Sequence, residues 1–530
     1  MNNDNYLFNR IKKGKKKMKK FLLLLICIAM TFTLVGCGNT NTGNEEGKTT
    51  YAEEVIVGYN NDLDTADPYQ STSSQTHWYT NATFRTLTKS NYDTGELDPV
   101  LAIRWEELSG NNTHWRVYLK EGVKFHDGTI LNADDVVFTW NYAKDAANVV
   151  KPIASADAMV KEVVKVDDLT VDFILNYSIP DFMVYLEIKI YSKEAFDTMD
   201  KAEAGIIGCG PYKVGELISG VSYGLERFDD YYEGIDEFPT KKITVKVIPD
   251  LNIQVAALQK GEIDYSFRLP STSYYVLESD PNLDFYTRDG VQSFYIGFNF
   301  RKEVWNDLNM RKVIAHAVNK DDVIAIHYEG GATATRSDNF CVPSGKGYVE
   351  VKAIGYDPEE AKRLLKEAGK EGMKVVIMVG KHNKAFAETV QNALNAVGFN
   401  AVIDEVDATN WTTLKKTGDF DIFVGDYASY TGALLFNFDR FFTVGGPSNM
   451  YGFVSQEWED LIAGARQMST YDEMVAEFAV LQQWVADNIP LIPVAVSKSF
   501  AAAVKSVKGV KLAPSDNLQE IYYLYKIVKK

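Results

Sequence analysis

The chain has 530 residues, of which 46% are hydrophobic, 12% aromatic and 24% charged, and its formal net charge is −16 at pH 7. The apolar content is sufficient for sizeable cores, which excludes a wholly disordered protein, and the length suggests about three structural units. The acidic surplus argues against nucleic acid as a partner, because phosphate binding needs a basic face.

Residues 1–36 have the pattern of a lipoprotein signal peptide. A lysine-rich stretch leads into an apolar run that begins at Phe21 and reaches Gly36. This run of about 16 residues is shorter than the ~20 that a membrane-spanning helix needs. The following Leu34-Val35-Gly36-Cys37 resembles the lipobox of bacterial lipoproteins, which implies cleavage before Cys37 and lipidation of its sulfur. The alternative is an uncleaved membrane anchor, and either Met1 or Met18 can be the start.

Residues 37–53 follow as the lipidated cysteine and a polar stretch, which predicts a flexible tether. Cys209 and Cys341 are then the remaining cysteines of the folded part. Neither belongs to a Cys-x-x-Cys pair, so we expect no zinc or redox site. The sequence leaves open whether the two form a disulfide.

Apolar, β-branched or aromatic runs predict strands throughout the folded part. These predicted strands are Glu54–Tyr59, Thr113–Leu119, Thr170–Asn176, Tyr223–Phe228, Ile243–Ile248, Phe294–Phe300, Val375–Val379, Ala401–Val406, Asp421–Gly425, Leu491–Val496 and Tyr522–Val528. Helical patterns alternate with them, for example the apolar stripe of Met310–Ala317 and the capped, proline-started segment after Asp357. Interleaved strands and helices predict an α/β or mixed fold.

The catalytic patterns in the chain are weak. The run Gly220–Gly224 matches G-x-S-x-G, but a strand follows it where a nucleophile elbow needs a helix, so we interpret it as a hairpin turn. The six histidines are scattered without an i, i+4 pair. The spacing therefore assembles no active site and no metal site, and we expect neither an enzyme nor a cofactor.

Several segments in order resemble the family 5 extracellular solute-binding proteins, the oligopeptide, dipeptide and nickel binders of ABC importers. Leu101–Trp140 carries the family pattern W-x-L-x-x-G-V-K-F-H-D-G-x-x-x-x-A-x-D-V nearly complete. The other segments are the GCGPYKV stretch around Cys209, the Ala-Leu-Gln-x-Gly-Glu-Ile-Asp run of Ala257–Asp264, Gly297–Asn299, Met310–Val313 and Tyr356–Ala361. The resemblance covers about residues 54 to 528.

The resemblance implies an α/β, periplasmic-binding-protein-like fold of two lobes (class II, cluster C type) with an extra subdomain on lobe one. Lobe one would comprise residues 54–92, 206–298 and 497–528, the extra subdomain residues 91–205, and lobe two residues 299–496. The chain would cross between the lobes near Asn299–Arg301 and near Ala495–Lys498, and two crossings form a hinge.

In peptide-binding members, an aspartate in a W-x-x-D-Y-x-D-P-like loop pairs with the ligand's α-amino group. Asp426 takes that place here and Tyr427 follows it, while Phe423 replaces the usual tryptophan. The second acid and the proline of the pattern are Ser429 and Tyr430 here. The alternative is that Asp426 only caps a turn at a strand end.

The ligand carboxylate needs a cation, which dipeptide binders supply from the loop after the strand that corresponds to Val375–Val379. The candidates here are Lys381, His382 and Lys384 from that loop, and Arg336 and Arg440 from elsewhere. A lysine lacks the bidentate fork of arginine and would recognise a carboxylate less strictly. All of these are also compatible with solvated surface positions. The loop Ser71–Thr76 and the early tyrosines Tyr59, Tyr69 and Tyr79 are further candidates for the cleft.

The resemblance therefore implies a lipid-anchored substrate-binding protein of an ABC importer on the extracytoplasmic face of the cell membrane. It would capture short peptides in the interlobe cleft as a monomer and deliver them to a membrane permease with its ATPase. The alternative is the same fold binding another solute, either a nickel chelate or an oligosaccharide. The sequence does not fix the ligand, its length or the permease.

Overall fold

The structure, a computed structural model of the chain, describes residues 50–150, 153, 159–428, 434–468, 470–515 and 518–528. The predicted signal peptide, Cys37 and most of the tether lie outside these residues, as do Ser429 and Tyr430. Over the ranges just given, we find no helix that is both long enough and apolar enough to cross a membrane.

The strands of the described part are numbered in chain order. They are β1 Thr50–Tyr51, β2 Glu54–Tyr59, β3 Thr88–Ser90, β4 Leu97–Pro99, β5 Ala102–Glu107, β6 His114–Leu119, β7 Val160–Asp167, β8 Thr170–Leu175, β9 Tyr212–Ile218, β10 Ser222–Arg227, β11 Lys242–Val247, β12 Tyr265–Ser266, β13 Leu283–Phe298, β14 Ala334–Arg336, β15 Lys374–Gly380, β16 Asn400–Val406, β17 Ile422–Ala428, β18 Leu491–Val504, β19 Val507–Lys508 and β20 Tyr525–Val528.

The α-helices alternate with these strands. They are α1 Ser74–Thr83, α2 Ala133–Ala143, α3 Lys193–Thr198, α4 Lys201–Ala204, α5 Leu251–Gln259, α6 Tyr274–Glu278, α7 Leu308–Ala317, α8 Lys320–His327, α9 Pro358–Glu367, α10 Lys384–Val397, α11 Ala408–Thr417, α12 Leu434–Phe442, α13 Gln456–Arg466 and α14 Tyr471–Asn488. Their starts follow the sequence signals: Asn132 closes a capping box on α2, and Asp357 accepts a bond from Glu360 N ahead of Pro358 in α9.

One large sheet runs through most of the described chain. Its strand order is β16-β15-β17-β13-β18-β12-β2-β11-β10-β9, with β14 paired to β18 beside this path. The long strands β13 and β18 pair with each other in two stretches, Leu283–Asp289 with Lys498–Val504 and Ser293–Gly297 with Leu491–Val496. The register shifts between Asp289 and Ser293 and again between Phe294 and Tyr295, so the irregular part of this strand pair lies in the middle of the sheet.

Buried side chains form three main cores. We call them the lobe-one core, with residues between 55–82, 212–267 and 501–524, the subdomain core, with residues between 87 and 209, and the lobe-two core, with residues between 295 and 495. The subdomain core lies on a separate four-stranded sheet of order β5-β6-β8-β7. These names follow the predicted lobes, whose boundaries stay a prediction; Tyr295, Ile296 and Phe298 belong to the lobe-two core, and Leu87 and Cys209 to the subdomain core.

Most predicted strands occur within one or two residues of the predicted ends. Four differ by more, and one of them is Asp421–Gly425, which continues to Ala428 as β17. Phe294–Phe300 is only the end of the 16-residue β13, and Leu491–Val496 is only the start of β18, since each strand continues along the other. Tyr522–Val528 is a strand only over β20, because a 3-10 turn, Ile521–Tyr523, precedes it.

The glycines of the GCGPY motif allow close packing of two backbones. A Cβ on Gly208 would lie 2.0 Å from Thr83 O, and one on Gly210 would lie 2.3 Å from Ala82 O. Both distances are far below contact, so only glycine allows this segment to pass the end of α1. Cys209 between them is a buried free thiol in the subdomain core, whereas Cys341 is a buried free thiol in the lobe-two core.

Asp264, the last residue of the Ala257–Asp264 motif, ties together distant parts of lobe one. Its Oδ2 accepts a hydrogen bond from Ile56 N at 2.9 Å, and its Oδ1 accepts one from Lys526 Nζ at 2.7 Å. The Asp264 side chain is 4% exposed and Lys526 is 34% exposed. The motif residue therefore joins β2, β12 and β20, which come from both ends of the folded chain.

Candidate functional site

A cavity of about 840 Å³ lies where β15, β16 and β17 end. These neighbouring strands run parallel, so their carboxyl ends meet at one edge of the sheet, where loops carry functional groups. The lining residues are Gly380, Lys381, His382, Asn383, Val406, Asp407, Trp411 and Asp426.

Asp426 is held by three hydrogen-bond donors at the wall of this cavity. Asn383 Nδ2 donates to its Oδ1 at 2.7 Å, His382 Nε2 lies 2.8 Å from the same oxygen, and Gln292 Nε2 donates to Oδ2. The carboxylate is 20% exposed, whereas the His382 ring is 72% exposed. The site thus presents an oriented, partly desolvated carboxylate next to one donor that can move into solvent.

The two side chains predicted beside Asp426 face the other way. Residues alternate across a strand, so Phe423 and Tyr427 lie on the face of β17 opposite to Asp426. Phe423 is fully buried, and the Tyr427 hydroxyl donates to Phe340 O at 2.7 Å while its ring stacks on Phe340. Both residues therefore pack in the lobe-two core.

Two of the five predicted cations, Lys381 and His382, line the cavity, and the other three have contacts elsewhere. Lys384 forms an ion pair with Glu405 at 2.8 Å, and this bond raises the pKa of Lys384. Arg336 pairs with two acids, Asp321 and Asp338, at 3.1 and 3.2 Å.

Arg440 likewise contacts its own surroundings. It lies on α12, and its Nε donates to Ser448 Oγ at 2.6 Å. The early tyrosines are core residues, since Tyr59, Tyr69 and Tyr79 are at most 7% exposed. The structure thus brings Asp426, Lys381 and His382 together and leaves the other predicted positions away from the cavity lining.

Two residues near the cavity were missed by the sequence reasoning. Trp411 forms part of the cavity wall, and Lys415, one turn later on α11, is 7% exposed behind it. The Lys415 ammonium lies 4.5 Å from the Phe423 ring centroid and 3.5 Å from the Tyr295 hydroxyl. Burial lowers the pKa of Lys415 to about 8. The i, i+4 spacing of Trp411 and Lys415 is the signal that could have placed both on one helix face.

A metal site needs several His, Cys, Asp or Glu side chains close together. Over the residues that the structure describes, no group of three or more His, Cys, Asp or Glu side chains is placed to hold a metal ion. At the cavity, His382 and Asp426 are in direct contact with each other.

Known proteins are similar in sequence to most of this chain. The sequence profile of the bacterial extracellular solute-binding proteins, family 5 Middle, matches residues 96–449. The dipeptide-binding protein of Escherichia coli is 27% identical over 468 residues, which cover 81% of this chain and 86% of that protein. The oligopeptide-binding protein AppA of Bacillus subtilis is 26% identical over 550 residues, which cover 96% and 98%.

The fold is shared with solved structures. HbpA2 from Haemophilus parasuis superposes with a TM-score of 0.80 at 23% identity, over 90% of this chain and 100% of that chain. The chain belongs to the family 5 extracellular solute-binding proteins, because the family profile matches more than half of it. The predicted α/β, two-lobed periplasmic-binding fold is confirmed.

Proposed function

We propose that this protein is the lipid-anchored, extracytoplasmic receptor of an ABC importer and that it captures short peptides by their α-amino group. The observation that carries the proposal is the Asp426 carboxylate, which lines the cavity and already accepts hydrogen bonds from Gln292, His382 and Asn383. A ligand ammonium also brings up to three N–H donors and a positive charge.

The difference in exposure between two of these donors supports ligand binding at Asp426. His382 is 72% exposed, so it can leave the carboxylate when an ammonium enters, while Asn383 is buried and keeps Asp426 oriented. The incoming ammonium loses its water in a closed cleft and is compensated by the carboxylate. Side chains further along the peptide are then read loosely, because main-chain bonds carry affinity.

The ligand carboxylate is assigned to Lys381. It lines the same cavity and makes no ion pair with any other described residue, whereas Lys384 and Arg336 already pair with acids. Lysine offers a point charge without a fork, which suits ligands of variable length. Arg440 and the neighbours of Asp426, Phe423 and Tyr427, act from behind the site as packing.

We also propose the boundaries of the two lobes and of the extra subdomain. Lobe one (54–92, 206–298, 497–528) with the extra subdomain (91–205) closes on lobe two (299–496), and the closed monomer delivers its solute to a permease with its ATPase. The shift of register between β13 and β18 is where bending costs least, since the ladder is already interrupted there.

A calorimetric screen tests the proposal. Residues 50–530 form one compact unit by their contacts, so the fragment Asn39–Lys530 contains the whole folded part. We expect it to bind di- to pentapeptides with a free amino terminus and to bind the same peptides poorly after N-acetylation. Binding of a nickel–histidine chelate or of an oligosaccharide, without any peptide binding, would contradict the peptide proposal and support the alternative solutes.

Anchoring has its own test. In cells, Cys37→Ser is expected to block lipidation and to release the protein from the membrane fraction, because two acyl chains with a short tether are sufficient for stable attachment. Fractionation with immunoblotting measures the release, and Cys209→Ser is the matched control since its thiol is buried. A Cys37→Ser protein that stays in the membrane after removal of residues 1–36 would contradict the lipoprotein proposal.

A further inference from the structure

A buried carboxylate without a partner lies where the subdomain core meets the lobe-two core. Asp181 precedes a short 3-10 helix, Phe182–Leu186, and is 4% exposed. Among the described residues, neither of its side-chain oxygens finds a hydrogen-bond partner. An ionised carboxylate is strongly disfavoured in such a place, so the group needs another means of neutralisation.

The surroundings of Asp181 form a direct contact between the two cores, which we call the seam. Its contacts are Asn112 Nδ2 to Met468 O at 3.4 Å, Ser178 Oγ to Arg466 O at 3.3 Å, and the Tyr185 and Phe436 rings with centroids 5.9 Å apart. The seam therefore joins residues of the predicted extra subdomain to residues of lobe two, and any opening of the lobes there must separate it.

The charges at the seam leave Asp181 without a cation. The titratable or charged groups that face it are Tyr177 and Tyr185 from its own side and Asp439 and Arg466 from lobe two. Arg466 Nη2 is paired with Asp439 Oδ1 at 2.7 Å. Burial, with a smaller contribution from the charge of Asp439, raises the pKa of Asp181 to about 7.

We propose that the seam is a proton-linked latch, in which Asp181 binds a proton from solvent when the seam closes and releases it when the seam opens to water. A protonated carboxyl is neutral, so it can be buried at far lower cost than the ion. A metal or ligand cation is the less favoured neutraliser, because Asp439, the second carboxylate at the seam, already has Arg466 as its cation.

The direction of the pH effect follows from linkage. An exposed aspartate has a pKa near about 3.9, so below about pH 4 the open and closed forms are both protonated and closure is unopposed. As pH rises from about 4 to about 7, the open form loses its proton first and gains relative stability. The ratio of closed to open molecules is expected to fall by up to about tenfold per pH unit in this range and to stay level above it.

Solution scattering of the fragment Asn39–Lys530 without ligand tests the latch. We expect the radius of gyration to increase between pH 4.5 and pH 7.5. The Asp181→Asn protein, whose amide has the shape of the protonated acid, is expected to stay as compact at pH 7.5 as the unmodified protein at pH 4.5. Asp439→Asn removes the opposing charge and should shift the midpoint of the transition to lower pH.

Asp168→Asn is the matched control, because Asp168 is 86% exposed on the same subdomain and should leave the pH profile unchanged. A radius of gyration that does not change with pH in the unmodified protein would overturn the proposal, and this holds even if Asp181→Asn fails to fold. So would an Asp181→Asn profile equal to that of the unmodified protein. Compaction at pH 7.5 on addition of sodium or calcium ions would show that a cation, not a proton, neutralises Asp181.

Discussion

Asp426→Asn is expected to weaken the binding of a free-amine peptide by roughly 30-fold to several-thousand-fold. Truncating one member of a buried, hydrogen-bonded charge pair costs on the order of 2–5 kcal/mol, because the other charge is left unpaired in the closed cleft. Isothermal titration calorimetry with a peptide and its N-acetylated form measures the loss. The acetylated peptide, already a poor ligand, should lose much less, since it has no ammonium to place on the carboxylate.

The control for this change is Asp404→Asn on β16 of the same sheet, where the carboxylate is exposed and outside the cavity lining. It removes the same charge and should leave both affinities within a factor of a few. If Asp426→Asn weakens both peptides equally, Asp426 acts only by supporting the loop. If it weakens neither, the cavity holds some other solute.

Asp264→Ala is expected to lower the free energy of unfolding by about 2–4 kcal/mol, because it removes a buried carboxylate that accepts two hydrogen bonds and leaves the Ile56 N–H without its acceptor. The change leaves Ile56 N without its acceptor and Lys526 without its counter-charge, at the point where β2, β12 and β20 meet. Chemical denaturation followed by circular dichroism measures the loss. We expect it in the transition that reports lobe one, because both partners lie in the segments predicted for that lobe.

Asp284→Ala provides the comparison in the same lobe. Asp284 pairs with Lys508 at 3.0 Å, but the two side chains are 32% and 43% exposed, so the pair contributes at most about 1 kcal/mol. If Asp264→Ala and Asp284→Ala lower the free energy of unfolding equally, the burial of Asp264 does not increase its contribution to stability. A larger loss at Asp264 would explain why an aspartate closes the Ala257–Asp264 motif.

More of the fold than of the candidate site could be predicted from the sequence. Strand runs, caps and turn glycines predict local structure from neighbours in the chain, and the hairpin turn interpreted at Gly220–Gly224 occurs between β9 and β10. The positions of Phe423 and Tyr427 were expected near the ligand, yet the alternation of β17 places them in the core once Asp426 faces the cavity. The residues of a family motif are neighbours in sequence. When the motif forms a strand, consecutive side chains lie on opposite faces of the sheet.

Partners that are distant in the chain could not be predicted. Lys384 and Arg336 are basic residues that the sequence made candidates for the ligand carboxylate. They pair instead with Glu405 and Asp321, through contacts that no local pattern reports. Lys415 and Lys416 are adjacent in sequence and identical in type, yet the first is 7% exposed and the second is exposed. Only the packing of α11 against the sheet distinguishes them.

The position of β18 in the large sheet limits the order in which the sheet can form. β18 lies between β13 and β12, and its first residues belong to the lobe-two core while its last belong to the lobe-one core. A nascent chain that ends before Leu491 therefore has two half-sheets with unpaired edges at β13 and β12, and exposed edges of this kind invite aggregation. The large sheet is therefore complete only after β18 has been synthesised. Such a chain gains little stability by folding before β18 is available, because each half-sheet still lacks its central partner strand.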